Sequence, residues 1–271
     1  MMTRNMMILY MTISVLSLVW IILSYYGYVR YFKLNVFSCE HYAQSYIKLP
    51  RAQTTSKIII SLSTSSDNLK NIKPTINSLL DQTVHADQII LSVDNIKSET
   101  IIPLYLTENN IIVVHKLAKS YGKCANFISP LLREKDATTK IILVDENQVY
   151  GLDFVETLIE ASNQQPNKAI YLNGYNAKKF LNGNKIEGPD NVIDIHHGAL
   201  ISPSFFTNDI MDTLHTPLNA PNAVLSANLI KNKVPLHKIN YRENFIKKFT
   251  SKEIENEKMG IIFYAVYFDI S

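Results

Sequence analysis

The run Met6-Met-Ile-Leu-Tyr-Met-Thr-Ile-Ser-Val-Leu-Ser-Leu-Val-Trp-Ile-Ile-Leu-Ser-Tyr-Tyr-Gly-Tyr-Val29 contains no charged residue. At ~1.5 Å rise per residue it can cross a hydrocarbon core about 30 Å thick. Trp20, Tyr25, Tyr26 and Tyr28 lie in its second half, and the tyrosines suit the water–lipid interface, where an amphipathic ring prefers to sit. A cleaved signal peptide is the alternative. Its apolar region is shorter, about 7–15 residues, and ends in small residues, whereas this run continues into Tyr25-Tyr-Gly-Tyr-Val-Arg-Tyr-Phe32. The expectation is a retained, single-pass transmembrane helix, residues 6–29, after a short N-terminal tail of residues 1–5. Arg4 precedes the helix and Arg30 and Lys33 follow it, a count that slightly favours a cytoplasmic C-terminal domain. No Asn-x-Ser/Thr sequon supports a glycosylated lumenal one.

The remainder divides into a stem, residues 30–56, with no sustained periodicity, and one domain, residues 57–271. That length can bury a substantial core. A net charge of +3 and no dense Lys/Arg block argue against nucleic acid as a partner. With 8 glycines in the chain there is no Gly-rich phosphate loop. The two cysteines, Cys39 and Cys124, match no metal or disulfide framework.

Short β-branched runs alternate with helical patterns. Lys57–Leu62, Gln88–Val93, Ile111–Lys116 and Lys140–Val144 read as strands buried on both faces, with Ala169–Leu172 and Gly198–Ile201 as later candidates. Ile72, Ile76, Leu79 and Leu80 follow helical spacing, with Asn71 as N-cap and Pro74 in the first turn. The first two strands start about thirty residues apart, the span of a βαβ unit. The fold class is therefore α/β, an open, mostly parallel but mixed sheet flanked by helices. Ligands of such sheets bind at the carboxyl ends of the strands. There the fourth strand runs into Asp145-Glu-Asn147. A compact set of oxygen ligands suits Mg²⁺ or Mn²⁺ bridging to phosphates, and a polar strand end capping a turn is the plainer reading. His196-His197 reads as a cleft lining or a surface turn, with metal binding or phosphate positioning as the alternative, since neighbours in a strand point to opposite faces. The stripe Ile261–Phe268 follows a capping box, Thr250-Ser-Lys-Glu253, and reads as core packing, with membrane-surface docking as the alternative.

In order along the chain come Asn77-Ser-Leu-Leu-Asp-Gln82, Tyr121-Gly-Lys-Cys-Ala-Asn126, Ile141-Ile-Leu-Val-Asp-Glu-Asn-Gln-Val-Tyr150, Gly151–Leu158 and His197-Gly-Ala-Leu-Ile-Ser-Pro-Ser-Phe-Phe206. This succession resembles the GT-A glycosyltransferases of the family 2 type, from about Lys57 to Leu236. The resemblance implies a GT-A-like domain and a transferase that moves a hexose-type sugar from a nucleotide-sugar donor to a glycan or lipid-linked acceptor. It also implies a divalent metal, Mg²⁺ or Mn²⁺, on the donor's diphosphate. Carried over, Asp145 faces the ribose, with Asp145, Glu146 and Asn147 as the metal set. Ser63, Asp67, Asp94 and Asn126 join Asp145 in seating the nucleotide. The pattern departs from its relatives in three places. The acidic triplet reads Asp-Glu-Asn, the second motif lacks its Pro and Lys, and Pro221-Asn222 stands where an acidic pair with the general base belongs. An amide does not accept a proton at neutral pH as a carboxylate does. Asp190, Asp194 and Asn222 are thus the catalytic candidates, with Asp209 and Asp212 nearby. A catalytically inactive, transferase-like binding protein is the second expectation.

Overall fold

The structure, a computed structural model, describes residues 4–94, 101–117, 119–182, 189–207, 210, 219–241 and 251–268. The uncharged run forms α1 (Arg4–Tyr25). It is long and apolar enough to cross a membrane, and none of its apolar window is buried against the rest of the chain. The Thr12 hydroxyl needs no outside partner: it lies 3.1 and 2.8 Å from the Ile8 and Leu9 carbonyls of the preceding turn. The helix ends four residues earlier than the sequence suggested. Gly27 adopts the left-handed conformation (φ 77°), which a residue without Cβ enters at little cost, and a second helix starts at once.

That second helix, α2 (Tyr28–Val36), and α3 (Cys39–Tyr46) occupy the segment expected to be an aperiodic stem. Both pack against α4 (Lys73–Leu80). Leu34 and Tyr46 are 0% and 1% exposed. Ser38 caps α3, its hydroxyl accepting the His41 N–H at 3.2 Å. The physical reason is the shortness of each helix, at nine and eight residues, which gives periodicity too little length to emerge. Across the junction, Arg30 Nε meets Asp81 Oδ2 at 2.8 Å and Nη1 donates to the Tyr150 carbonyl at 2.7 Å. In α4 the N-cap is Ile72, not Asn71, and Pro74 lies in the first turn as expected.

The strands are β1 (Ile58–Ser65), β2 (Gln88–Asp94), β3 (Ile112–Lys116), β4 (Lys140–Leu143), β5 (Ala169–Tyr171), β6 (Gly174–Tyr175), β7 (Val192–Ile193), β8 (Ala199–Ile201) and β9 (Leu236–Lys238). Seven form one sheet, ordered β3-β2-β1-β4-β8-β5-β9, and β6 pairs with β7. Every neighbouring pair in the sheet is parallel except the two that involve β8. Alternate residues face two cores. Ile58, Ile60, Leu62, Ile142 and Val144 join α4 and α6 (Phe154–Gln164), while Ile141, Leu143 and Ile201 join α5 (Ala125–Arg133) and α8 (Pro221–Lys231). Burial on both faces is why these strands read as unbroken apolar runs.

A smaller cluster holds α7 (Ala177–Asn182), α8 and α9 (Ser251–Phe263) together through Ala177, Ala223, Ile261 and Phe268. The C-terminal stripe is split: Ile261 and Phe268 are buried, whereas Ile262, Phe263 and Val266 are exposed. Thr250 of the expected capping box lies outside the described residues.

Candidate functional site

Strand β1 pairs with β2 on one side and β4 on the other, both parallel to it. The chain thus winds outward in two directions from β1, and the carboxyl ends of these strands open the crevice where open α/β sheets take their ligands. A cavity of about 220 Å³ sits there, between Ser63, Thr64 and Ser65 of β1, Asp94 ending β2, the Gly122-Lys123 turn and Glu146.

Each wall is fixed by identifiable bonds. Asp94 accepts from the Ser120 hydroxyl at 2.6 Å and the Gly122 N–H at 3.2 Å, so its carboxylate shapes the turn before α5. The Ser63 hydroxyl donates to the Lys123 carbonyl at 3.3 Å. Beyond β4, Asp145 Oδ1 accepts the Asn147 N–H at 2.8 Å, an Asx-type turn. The Tyr150 hydroxyl accepts the Asp145 N–H at 2.7 Å and lies 3.1 Å from the His196 carbonyl. Gln82 explains the Ser-Leu-Leu-Asp-Gln motif: its amide N–H₂ donates to the Gly151 carbonyl at 2.7 Å and its carbonyl accepts the Val155 N–H at 3.1 Å. It joins α4 to the start of α6 and so supports the loop that carries Asp145.

The strongest electrostatic grouping was not visible in the sequence. His196 Nδ1 lies 3.0 Å from Asp194 Oδ1, and its Nε2 lies 3.5 Å from Asp145 Oδ2 and 3.8 Å from Glu253 Oε1. Lys123 Nζ meets Glu253 Oε1 at 2.6 Å. Burial works to lower the pKa of His196, but the Asp194 hydrogen bond and the charges of Asp145 and Asp194 outweigh it, and the net shift is upward. Lys123 behaves alike: burial opposes its charge, and Glu253, Asp145 and Glu146 more than restore it. Lys123 and His196 thus meet at Glu253 among carboxylates that favour their protonated forms. Burial raises Glu146, against the pull of Thr64 and Asn68. Glu257 is fully enclosed and pushed up to about 8 by burial, although it accepts the Asn222 and Ala223 N–H groups at the start of α8.

The expected site residues divide. Ser63, Asp94 and Glu146 line the cavity, and Asp145 and Asp194 meet at His196. Asp67 is exposed in the turn after β1 and takes no part in the lining. Asn126 is buried on α5 below the sheet, its carbonyl accepting the Ser61 hydroxyl at 2.6 Å. Asp190 is tied to Lys238 at 2.7 Å on the surface. Asn222 is fully buried and receives the Ile195 N–H at 3.0 Å while its amide reaches Asp194 at 3.4 Å, so it holds Asp194 in place. His197 lies 3.4 Å from Asp194, on the other carboxylate oxygen from His196. Asp209 and Asp212 lie outside the described residues. The sequence reading missed Lys123, Glu253 and Glu257. Glu253 and Glu257 are four residues apart, the spacing that puts two carboxylates on one helix face.

The described residues contain no group of three His, Cys, Asp or Glu side chains placed to hold a metal ion. A hard divalent cation shared with substrate phosphates needs only one or two protein carboxylates. Glu146 Oε2, buried with no hydrogen-bond partner, is an oxygen a cation would satisfy. Asn147 contributes to the turn through its backbone N–H.

No protein-family model matches the chain and no curated protein matches its sequence. Among solved structures it is similar to a mannosyltransferase from Pyrobaculum calidifontis in complex with GDP-Man and Mn²⁺, with TM-score 0.49 and 9% identity over 79% of this chain. The chain spans 62% of that protein's length. It is also similar to the 2-C-methyl-D-erythritol 4-phosphate cytidylyltransferase of Francisella tularensis, with TM-score 0.47 and 14% identity, covering 76% of this chain and 100% of that one.

Proposed function

We propose that the protein is a membrane-anchored, GT-A-like glycosyltransferase that binds a nucleotide-sugar donor at the β1/β2/β4 crevice, the donor's diphosphate facing Lys123. The observation that carries this reading is the cavity itself. It lies at the switch point of the sheet, walled by Asp94, Glu146 and the half-buried side chain of Lys123. The sequence resemblance supports the donor class, and α1, long and apolar enough to cross a membrane, supports the anchor.

Lys123 presents a positive charge in a partly dehydrated cleft, where fixed charges act more strongly than in water. As the sugar–phosphate bond breaks, negative charge grows on the departing diphosphate oxygen, and the Lys123 ammonium on the cavity wall would stabilise it. Asp194 is a positioning residue, holding the His196 ring by Nδ1. A divalent cation, which the resemblance implies, would be held by Asp145 and Glu146 together with the donor's phosphates and would stabilise the same charge. The acceptor, a glycan or a lipid-linked molecule, follows from the resemblance and from the anchor.

A second reading, a non-catalytic nucleotide-sugar binder, draws on a specific observation. Asp94, Asp145, Asp194, Glu253 and Glu257 all accept hydrogen bonds or ion pairs from the protein, and a general base needs a carboxylate open to the acceptor hydroxyl. Donor hydrolysis separates the two. Under the enzyme reading, the full chain slowly releases nucleoside diphosphate from its donor, and Asp145→Ala abolishes the release. Tight donor binding with no release by the wild-type chain selects the second reading.

A further inference from the structure

Helix α2 has two unlike faces. Leu34 is fully buried against α4, while Tyr28, Phe32 and Val36 are 54%, 66% and 55% exposed. These three are spaced i, i+4, i+8, so they stack into one apolar stripe. The stripe begins three residues after the last residue of α1. Beside it opens a cavity of about 430 Å³, bounded by Ser24 of α1 and by Arg30, Lys33, Phe37, His41 and Asp81. Arg30 and Asp81 neutralise each other at 2.8 Å. The Lys33 ammonium has no hydrogen-bond or ion-pair partner among the described residues and gives the cavity its net positive charge.

We infer that α2 is an interfacial foot, its apolar stripe lying at the boundary of headgroups and acyl chains, and that the cavity seats the phosphate headgroup of an anionic phospholipid from the same leaflet. The inference rests on reading α1 as a membrane span. Three features specify this occupant over another protein. The stripe is continuous with a helix that matches the bilayer in length and apolarity. Its residues are the aromatic and aliphatic types that settle at the interface. The unpaired charge beside it has the sign that anionic leaflets attract. The Gly27 turn permits the arrangement, because its left-handed backbone interrupts α1 and α2 is a separate helix.

The test uses the full chain in lipid nanodiscs. Trp20, the single tryptophan, lies in α1, and its quenching by brominated acyl chains reports the span alone. A spin label on Phe32→Cys reports the foot. The native cysteines are buried, with Cys39 raised to about 11 and Cys124 raised as well by desolvation, so neither competes for the label. The expected result is quenched Trp20 together with a Phe32→Cys label more accessible to oxygen than to an aqueous nickel chelate. Native mass spectrometry from mixed phosphatidylcholine and phosphatidylglycerol discs then compares retained anionic lipid. Lys33→Ala is expected to lower retention on the order of fivefold, the effect of one lysine beside an anionic leaflet, whereas exposed Lys48→Ala leaves it unchanged. Quenched Trp20 with a chelate-accessible label overturns the foot and leaves the span standing. Unquenched Trp20 removes the span and the foot together. Equal retention by Lys33→Ala and the wild-type chain overturns the headgroup seat.

Discussion

Truncating Leu34 to Ala tests whether α2 belongs to the folded domain or merely tethers it. Leu34 is 0% exposed and joins the main core with Tyr42, Tyr46 and Ile76. Its backbone carbonyl accepts the Asn77 amide at 2.8 Å, a bond the substitution leaves intact. The change therefore removes side-chain packing and little else. A buried Leu→Ala costs roughly 2–5 kcal/mol, with the spread set by how far the cavity collapses. For a domain of about 150–250 residues each kcal/mol moves the midpoint by about 2–4 °C, giving a fall of roughly 4–20 °C. Thermal unfolding of the full chain in a fixed detergent, followed by near-UV circular dichroism, measures it. Ile47→Ala is the control: Ile47 is 71% exposed, and surface substitutions generally stay within about 0.5 kcal/mol. Equal midpoints for Leu34→Ala and Ile47→Ala would refute the docking of α2 on α4 and restore the stem.

Other outcomes follow from the cleft. Lys123→Met should weaken binding of a nucleoside diphosphate roughly 10–100-fold, the usual range for a charge-assisted hydrogen bond, and calorimetric titration reads it. Glu257→Ala leaves the Asn222 and Ala223 N–H groups without an acceptor in a buried site, for about 1–3 kcal/mol each, and should lower the unfolding midpoint. Glu257 and His196 both have folded-state pKa values raised above their ordinary ones. Each therefore stabilises the fold at low pH and loses that contribution as pH rises, Glu257 between 4.5 and about 8 and His196 from 6.5 upward. Stability should decline across this window, and Glu257→Gln, which cannot ionise, should make the decline shallower in a pH series of denaturant titrations.

The strands of the inner sheet were legible because burial on both faces writes itself as unbroken β-branched runs, and Asp145-Glu146 was legible because it ends such a run. The rest depended on contacts remote in sequence. Lys123 is one lysine among many until Glu253, which lies 130 positions away, is folded onto it. Asn222 reads in the sequence as a degraded catalytic position, and its burial beside Asp194 is a contact that no local pattern encodes. Asn126 sits in a motif that spans a 3₁₀ turn and the first turn of α5, so consecutive residues point to different surroundings. The short helices α2 and α3 escaped because nine and eight residues give too few turns to set period against chance.

The most direct test of the proposed donor site is titration of the full chain with UDP and GDP, each with and without Mn²⁺. Saturable binding of at least one of them is expected, strengthened by Mn²⁺, weakened by Lys123→Met and made less metal-dependent by Glu146→Gln. Absence of binding by any nucleoside diphosphate, with or without the metal, would contradict the account.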